Sequence, residues 1–525
     1  MNNEKSSFLS KKHFTSNKDL IFALVIYLII GIFILKYYQH LINPDVICYI
    51  NIAEKYATGD IGNAVNGYWG PLFSWALIPF LLKDHTPLFA LTAAKIVLLM
   101  TGVFTIAGLW FLSKKFPMDR TIRLFFLFSI IPIILSFIYG KITPDLLMVT
   151  ALIFYLNSLF DSEYPQKYKN GVISDLTGAL AYLSKAFALP FFLAHFILFN
   201  CLYYFKKYKP NKKRVRNNLI IGLTVFLIIS GVWAVTISEK YDELTFGTSS
   251  KYNFALVGPE IQEHHPQSGF GLYKPPNDSA TSSWEDPSYI KMPRWSPFES
   301  WANFNHQLKV TWNNMVRTAT MLYNFSIITF IIIICAFIFL LKSADSEKKF
   351  KMASLLITIF LTLIGFWIIR IEPRYIMLIY FLIPLMAGYL LNIIKEEFKI
   401  DHKIKTIMAA TVFILLVISP ITSLYNTANP ENTVYELSEN IIENYQVQGN
   451  IATNTDRRLS MAYAYYLDAQ YYGTIPPNDN LEANLLKNNI DFYLVWNTRE
   501  NIDLDHYYEM ENPSSNYPRV FKRLK

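Results

Sequence analysis

Residues 88–112 read LFALTAAKIVLLMTGVFTIAGLWFL, a run of 25 residues with a single charged side chain, Lys95. A helix of this length rises about 1.5 Å per residue and exceeds the roughly 30 Å of hydrocarbon in a bilayer. A soluble core does not need an uninterrupted apolar run of this length. The run therefore predicts a transmembrane helix.

Four further apolar runs of about 20 residues or more indicate that the chain crosses the membrane several times. They lie at 19–38, 218–238, 320–341 and 374–394. The composition agrees, because 52% of the 525 residues are hydrophobic and only 17% are charged, whereas soluble domains carry about 25% charged residues. We therefore expect an α-helical polytopic membrane protein.

The net charge of +8 does not indicate nucleic-acid binding, because most basic residues lie in clusters between the apolar runs. Such clusters mark loops on the cytoplasmic side. The three cysteines, Cys48, Cys201 and Cys335, are too few and too scattered for a disulfide framework. The positions of the basic residues therefore indicate the membrane topology.

Five basic segments constrain that topology if all of them face the cytoplasm. They lie near residues 5–18, 114–123, 206–216, 342–351 and 395–405, and each intervening stretch must then contain an even number of crossings. The first apolar run is long and lacks a small-residue cleavage site, so it is interpreted as a retained signal anchor. The N-terminus is then cytoplasmic and the C-terminus extracytoplasmic.

This constraint predicts about eleven transmembrane helices. The predicted crossings are 19–38, 86–112, 121–139, 145–160, two short ones within 172–205 that turn near Lys185, 217–238, 318–341, 352–369, 374–394 and 404–421. The stretch 68–82 contains Pro71 and Pro79 and is too short to span comfortably, so it is placed as an external juxtamembrane or re-entrant segment.

Three regions follow from these spans. Residues 1–18 form a cytoplasmic tail, 19–421 a membrane domain with external loops 39–85 and 239–316, and 422–525 an extracytoplasmic soluble domain. Strand patterns at 450–453 and 491–496 flank a helical pattern at 459–467, which predicts a small α/β fold. The tryptophans of the long loop, Trp284, Trp295 and Trp301, are expected to anchor it at the membrane interface.

Four basic residues lie on the side of the membrane that basic residues usually avoid. Lys141, Lys185, Arg370 and Arg374 fall at external membrane boundaries, where an anionic partner such as a lipid phosphate would stabilise them. The alternative for each is a long side chain that reaches external head groups. Four such cations on one face favour a common anionic ligand.

Two carboxylates share this external face. Asp45 follows Pro44 and opens an amphipathic stretch, and Asp145 follows Thr143 and Pro144 directly before an apolar helix. Either acid could simply favour a helix N-terminus. Asp45 could be an N-cap, and Asp145 could be favoured by the helix dipole in a helix that Thr143 caps and Pro144 opens. Glu372, between Arg370 and Arg374, could likewise belong to an ion-paired turn. Their common sidedness with the cations instead predicts a functional site.

The order of these motifs resembles the C-type glycosyltransferase superfamily. An external Asp45 and an amphipathic helix are followed by YWGPL at 68–72, TPDL at 143–146, LAYLSK at 180–185 and EPRY at 372–375. The resemblance covers about residues 15–400. It is closer to bacterial family-39-like enzymes, which include protein O-mannosyltransferases and the aminoarabinose transferase of lipid A.

This resemblance implies a polyprenyl-phosphate sugar donor and inverting transfer on the extracytoplasmic face of the cell membrane. It implies Asp45 and Asp145 as the catalytic acids. In such a site Tyr68 and Glu372 are predicted to line the substrate, and the four external cations are predicted, from their charge and position, to bind the donor phosphate. Two departures are Val46, where many O-mannosyltransferases have Glu, and Gly70, where the aminoarabinose branch has a basic residue nearby.

The chemistry of the residues agrees with such a transfer, since a carboxylate can take the acceptor proton and cations can stabilise the leaving phosphate. No cofactor is certain, and a divalent cation held by Asp45 and Asp145 stays open. The expected partners are a polyprenyl-phosphate-linked sugar, an extracytoplasmic acceptor and the bilayer, with no nucleic acid. The alternative hypotheses are a transporter or flippase of lipid-linked sugars, and a polymerase or ligase using similar lipids.

Overall fold

The structure, a computed structural model, describes residues 2–164, 167–205, 211–259, 271–428, 432–455, 457–496, 502–511 and 518–524. The helices in chain order are α1 (Asn2–Leu35), α2 (Pro44–Thr58), α3 (Ile61–Ala64), α4 (Pro71–Leu81), α5 (Pro87–Ser113), α6 (Arg120–Gly140), α7 (Asp145–Leu159), α8 (Tyr168–Ser184), α9 (Ala188–Phe205), α10 (Lys212–Tyr241), α11 (Thr248–Leu256), α12 (Trp301–Phe325), α13 (Ile328–Lys342), α14 (Ser346–Trp367), α15 (Met377–Phe398), α16 (His402–Asn426), α17 (Asn432–Tyr445), α18 (Arg457–Tyr466) and α19 (Leu481–Lys487). The strands are β1 (Gly271–Leu272), β2 (Gly449–Thr453), β3 (Ala469–Thr474), β4 (Phe492–Val495), β5 (Tyr507–Glu509) and β6 (Arg519–Arg523).

Eight helical segments of the described chain are long and apolar enough to cross a bilayer, which makes this a multi-pass membrane protein. They are Asn17–Tyr38, Pro87–Ser113, Arg120–Gly140, Ala188–Phe205, Lys212–Tyr241, Ser346–Trp367, Pro373–Phe398 and His402–Asn426. The count becomes nine if α12 and α13 together form one span. The predicted total of eleven stays a prediction, because two of the expected crossings fall on α7 and α8, which have only 15 and 17 residues.

The predicted span at 318–341 is divided between two helices. The chain bends by 110° between α12 and α13. Ser326 follows the end of α12. Helix α12 is amphipathic: Asn314 is buried and its amide donates to the backbone oxygens of Trp367 and Ile369, whereas Trp312 is exposed. A helix with one polar, packed face and one apolar, exposed face suits the membrane interface better than its interior.

The stretch predicted to contain two short crossings forms two helices. Helix α8 ends at Ser184 and α9 begins at Ala188, with Lys185 in the turn between them. The segment 68–82 forms the 11-residue helix α4, with Pro71 at its first position. The turn between α8 and α9 places Lys185 beside Asp145, the first residue of α7.

A six-stranded sheet occupies the C-terminal region, in the order β1-β3-β2-β4-β6-β5. Strands β3, β2 and β4 are parallel neighbours, with α18 and α19 as the connections between them. The predicted strands and helix of this region correspond to β2, β4 and α18. Its status as a separate soluble domain stays a prediction, because the edge strand β1 comes from the long loop at 239–316.

Candidate active site

The eight residues singled out from the sequence line one cavity. Its volume is about 1420 Å³, and it lies where the ends of α2, α6, α7, α8 and α14 meet the C-terminal region. The residues are Asp45, Tyr68, Lys141, Asp145, Lys185, Arg370, Glu372 and Arg374. Acids and bases separated by hundreds of positions therefore line one cavity.

Asp45 is not the N-cap of its helix. The side chain of Asn43 takes that role, since its Oδ1 accepts hydrogen bonds from the backbone N–H groups of Asp45 and Val46, each at 3.1 Å. Asn before Pro44 is a good start for a helix, and this local signal could have been found in the sequence. The carboxylate of Asp45 is thus free to face the cavity, and the interpretation of Asp45 as a cap is wrong.

Arg374 is the centre of the charged cluster. It lies in the 3₁₀ turn Pro373–Ile376 between α14 and α15, and its guanidinium donates to Asp45 Oδ2 and, at 2.9 Å, to Glu372 Oε2. A third carboxylate oxygen, Asp145 Oδ2, lies 3.9 Å from Nη1. One guanidinium therefore links the three acids of the site.

Asp145 is the most deeply buried of these acids. It is the first residue of α7, and no side chain caps that helix, so the expected capping role of Thr143 is not observed. Its Oδ1 accepts a hydrogen bond of 2.5 Å from Lys185 Nζ. The same ammonium lies 4.2 Å from the ring centroid of Tyr375, so Lys185 is held between a carboxylate and an aromatic face.

Lys141 and Arg370 form the outer edge of the cluster. Lys141 Nζ lies 3.7 Å from Asp45 Oδ2 and 3.9 Å from Glu372 Oε2, and Arg370 Nη2 lies 3.4 Å from Glu372 Oε1. The side chains of Lys141 and Arg370 are 41% and 48% exposed, against 15% for Arg374. They remain able to meet a ligand that enters the cavity.

Aromatic side chains form a wall beside Asp45. Trp284 Nε1 donates a hydrogen bond of 3.2 Å to Asp45 Oδ1, and Tyr68 packs edge-on against the indole of Trp284 at 5.1 Å. The tryptophan was expected to anchor its loop at the membrane, and that role stays a prediction. Its neighbour Glu285 forms a buried ion pair of 2.7 Å with Lys55, and Trp69 Nε1 donates to the Trp284 backbone oxygen at 3.2 Å.

The packing around Gly70 leaves no space for the basic residue that the aminoarabinose branch has near this position. A Cβ atom at this position would lie 2.4 Å from the backbone oxygen of Ser184 and 2.6 Å from that of Leu183. The YWGPL segment therefore packs directly on the end of α8, next to Lys185. A basic side chain has no room at position 70, and the cations of the site come from other elements.

Neighbouring cations favour the ionised forms of Asp45 and Glu372. Burial alone would raise the pKa of Asp45, but the charges of Arg374 and Lys141, together with hydrogen bonds from Arg374 and Trp284, hold that pKa well below its usual range. Burial likewise opposes ionisation of Glu372, and Arg374, Lys141 and Arg370 lower its pKa. For Lys185, burial lowers the pKa even though Asp145 favours the charged form.

The acidic side chains of the site are better suited to pairing with Lys and Arg than to binding a divalent metal. Within the described residues, no group of three or more His, Cys, Asp or Glu side chains is placed to hold an ion. Asp45 and Asp145, the two acids considered for such an ion, each face an Arg or Lys at ion-pair distance. Positive side chains thus occupy the positions at which a metal would meet these carboxylates.

Several residues of the site could not be inferred from sequence position. Trp284 contacts an acid 239 residues earlier in the chain, and Arg457 and Arg458 reach the cavity from α18 of the C-terminal region. Arg457 packs over the Trp284 indole, with its guanidinium carbon 4.8 Å from the ring centroid. Nothing in their local sequence marks these residues, since they lie outside the membrane boundaries on which the other assignments rest.

Comparison with known proteins agrees with this architecture at the level of structure. No family model matches the sequence, and no curated protein sequence matches it. Among solved structures, ArnT from Cupriavidus metallidurans bound to undecaprenyl phosphate superposes with a TM-score of 0.56 at 12% identity, covering 95% of this chain and 97% of that one. The same protein in the apo state gives a TM-score of 0.54 at 12% identity with the same coverage.

ArnT has the GT-C fold. The similarity extends over nearly the full length of both chains, including the C-terminal region beyond the part that carries the sequence motifs. The resemblance inferred from the order of those motifs is thereby confirmed at the level of the fold, and the chain has the fold of the C-type glycosyltransferase superfamily.

Proposed function

We propose that this protein is a membrane glycosyltransferase that moves a sugar from a polyprenyl-phosphate donor to an acceptor on the extracytoplasmic side, with inversion at the anomeric carbon. The observation that carries the proposal is the position of Arg374, which joins Asp45, Glu372 and Asp145 at the wall of one cavity. Carboxylates and cations that line one cavity are what a proton transfer coupled to loss of a phosphate requires.

The cations are the proposed ligands of the donor phosphate. Arg374 and Lys185 lie at the inner wall, and Lys141 and Arg370 lie at the outer edge with partly exposed side chains. Charge-assisted hydrogen bonds to phosphate are about twice as strong as neutral ones. ArnT, whose fold this chain shares, was solved with undecaprenyl phosphate bound, which supports a lipid of this kind.

A second, more apolar cavity supports a lipid-linked donor. Its volume is about 370 Å³, and it lies between α6, α12, α15 and α16. It shares Lys141, Glu372 and Arg374 with the first cavity. A lipid phosphate at the shared residues would place its charge on the cations and its hydrocarbon between helices.

The transfer is a single displacement. Asp45 takes the proton of the acceptor hydroxyl, the acceptor oxygen forms a bond to the anomeric carbon, and the bond from that carbon to the phosphate oxygen breaks. The electron pair leaves with the polyprenyl phosphate, which the cations stabilise. A phosphate that shares Arg374 and Lys141 with Asp45 also weakens the interactions that lower the pKa of Asp45, so donor binding would strengthen the base.

The basic loops support extracytoplasmic placement of this site. A reporter that is active only outside the cytoplasm, fused after residue 525, tests the placement. We expect activity. An inactive fusion with normal protein levels would contradict the topology and the proposed side of transfer together.

The decisive experiment is donor turnover by the purified protein. We would incubate it with a panel of polyprenyl-phosphate sugars, with and without a chelator, and measure release of free polyprenyl phosphate. Release of polyprenyl phosphate together with a glycosylated product would support the proposal. Movement of intact donor across a vesicle membrane without turnover would instead support the flippase hypothesis.

A further inference from the structure

Helix α11 adds three uncharged polar residues to the wall of the cavity of about 1420 Å³. They are Ser249, Ser250 and Asn253. Asn253 follows the two serines by four and three positions, which makes it the neighbour of both on the helix surface. The transfer proposed above uses the acids and cations of the cavity and gives these three residues no part.

Local structure leaves polar atoms of these side chains unused. Asn253 Nδ2 donates to Ser249 O at 2.7 Å and to the Tyr68 hydroxyl at 3.3 Å. In the part of the chain that the structure describes, Asn253 Oδ1 and the hydroxyls of Ser249 and Ser250 have no hydrogen-bond partner. A hydroxyl donates and accepts hydrogen bonds and an amide oxygen accepts them, so all three groups can bind the hydroxyls of a ligand.

Other uncharged polar residues of this cavity are used by the protein itself. Asn43 caps α2. Asn454 Nδ2 donates to Trp496 O at 3.0 Å, and Trp496 N donates to Asn454 Oδ1 at 2.8 Å. Thr474 Oγ1 donates to Thr455 O at 2.9 Å. The contrast indicates that α11 supplies polar groups for a ligand, whereas these side chains hold the backbone.

The start of α11 is packed against the turn between α8 and α9. Gly247 has a φ of +145°, which glycine adopts readily, and a Cβ atom there would lie 2.8 Å from the Cβ of Ala186, the residue after Lys185. Thr248 N donates to Gly67 O at 2.8 Å, directly before the YWGPL segment. Helix α11 therefore begins beside one of the proposed phosphate ligands.

Aromatic contacts connect α11 to the proposed base. Tyr68, which accepts from Asn253, packs against Trp284 with ring centroids 5.1 Å apart. Trp284 Nε1 in turn donates to Asp45 Oδ1 at 3.2 Å. In the proposed displacement the anomeric carbon lies between the leaving phosphate and the attacking oxygen. The sugar ring must then lie between the phosphate ligands and Asp45, where α11 is part of the adjacent wall.

We propose that Ser249, Ser250 and Asn253 bind hydroxyl groups of the transferred sugar while its phosphate lies on the cations. This proposal rests on the proposed function and deepens it, because it makes α11 the element that selects the sugar. A polar wall of this kind discriminates against a sugar that lacks the matching hydroxyl, since the protein groups are then left unpaired.

Binding of undecaprenyl phosphate and of its mannosyl, glucosyl and galactosyl esters to the purified full-length protein tests the proposal. Dissociation constants would be measured by microscale thermophoresis for wild type, Ser250→Ala and Asn253→Ala. Each variant should raise the Kd of the tightest ester about two- to tenfold through loss of a neutral hydrogen bond, and the Kd of undecaprenyl phosphate should not change. Ser250→Ala breaks no side-chain hydrogen bond of the described chain, so a purely structural role would not produce this pattern.

Deoxy esters identify the individual contacts. Removing one hydroxyl at a time from the tightest ester should raise the wild-type Kd at the ring position that Ser250 or Asn253 binds. In the matching variant the same removal should have no further effect, because both members of that contact are then absent.

Two substitutions outside the cavity are the controls. Ser279 is exposed in the same external loop, Asn305 is exposed on α12, and neither lines the cavity. Ser279→Ala and Asn305→Ala should therefore leave every Kd unchanged.

Ester dissociation constants that are equal in wild type and both α11 variants would overturn the proposal. So would an equal rise for undecaprenyl phosphate itself, which would place these side chains at the phosphate or the lipid, or a raised KM for the acceptor with unchanged ester binding. A wild-type protein that binds neither undecaprenyl phosphate nor its esters would contradict the proposed function, whereas binding that the α11 variants leave unaltered contradicts only the role of α11.

Discussion

Asp45 and Asp119 lie near the N-termini of two helices, and each is surrounded by cations, yet their surroundings differ. Asp119 caps α6 through a hydrogen bond of 3.0 Å from Ile122 N, and its Oδ2 lies 2.6 Å from Lys405 Nζ and 3.3 Å from Lys395 Nζ. Asp45 caps nothing and faces a cavity of about 1420 Å³. Neither cavity described above is lined by Asp119.

This difference shows why ion pairs alone do not identify a site. At Asp119 the carboxylate accepts bonds from its own helix and from the ends of α15 and α16, so its charge holds helices together. Beside Asp45, the side chain of Asn43 caps the helix. One oxygen of the Asp45 carboxylate accepts a hydrogen bond from the Trp284 indole, and the other contacts cations. A polar group that local structure does not use, at the wall of a cavity, is the better candidate for chemistry.

The largest expected effect is that of Asp45→Asn on turnover. If Asp45 is the base, the change should lower kcat by about 10²- to 10⁴-fold, since an amide cannot take the acceptor proton. Some loss of thermal stability is expected too, because buried Arg374 loses one charged partner. The measurement is polyprenyl phosphate release by purified protein.

Asp119→Asn is the matched control for that change. An asparagine keeps a capping oxygen and loses only the pairs with Lys405 and Lys395, so turnover should stay near the wild-type value. Equal loss in both variants would mean that the cavity at Asp45 has no special role.

The next largest effect is expected from cations of the candidate active site, compared with a cation that pairs with Asp119. Arg374→Gln and Lys185→Gln should each lower kcat/KM for the donor by about 10- to 100-fold, from the loss of a charge-assisted contact of roughly 1.5–3 kcal/mol to phosphate. Lys405→Gln removes a cation paired with Asp119 and should change stability only. Donor kinetics that respond alike to all three substitutions would argue against the phosphate site.

A smaller effect is expected from the indole that contacts Asp45. Trp284→Phe keeps an aromatic ring but removes the Nε1 donor, and a hydrogen bond to a charged group lost in this way should lower kcat roughly tenfold. Trp295→Phe is the control, because Trp295 Nε1 donates to the backbone of Phe254 at 2.9 Å, outside the charged cluster. Similar kinetics for the two variants would show that Trp284 only packs.

The smallest effect distinguishes two acids of the same helix, α2. Burial raises the pKa of Glu54 to about 7, whereas Asp45 beside its cations has a lowered pKa. The unfolded chain releases the Glu54 proton near pH 4.5 and the folded protein near pH 7, so wild-type stability should fall as the pH rises through this window.

Glu54→Gln should remove that fall and gain on the order of 1–3 kcal/mol relative to wild type at pH 8. Melting temperatures at pH 5 and pH 8 measure the effect, with exposed Glu443→Gln as the control. A difference between variant and wild type that is the same at both pH values would contradict the raised pKa.

Many residues of the site could be predicted from the sequence because they occupy positions that their residue type usually avoids or that a helix start does not require. Cations at external membrane boundaries, acids beside helix starts and the EPRY turn all lie within a few residues of a recognisable span, and all of these side chains line one cavity. The sequence could not show their pairing, since Arg374 and Asp45 are 329 residues apart. It did not show that the indole of Trp284 donates a hydrogen bond to Asp45, because that contact joins residues 239 positions apart.

The sequence by itself determined that this is a multi-pass helical membrane protein and which side chains are out of place, because apolar run length and charge position are local properties tied to the thickness of a bilayer. Only the tertiary structure decided that the chain bends by 110° between α12 and α13, and that a strand of the external loop pairs with the C-terminal sheet. It alone brought Arg457 to the indole on Asp45. These features depend on packing between segments hundreds of residues apart, and local periodicity carries no information about which distant surfaces will meet.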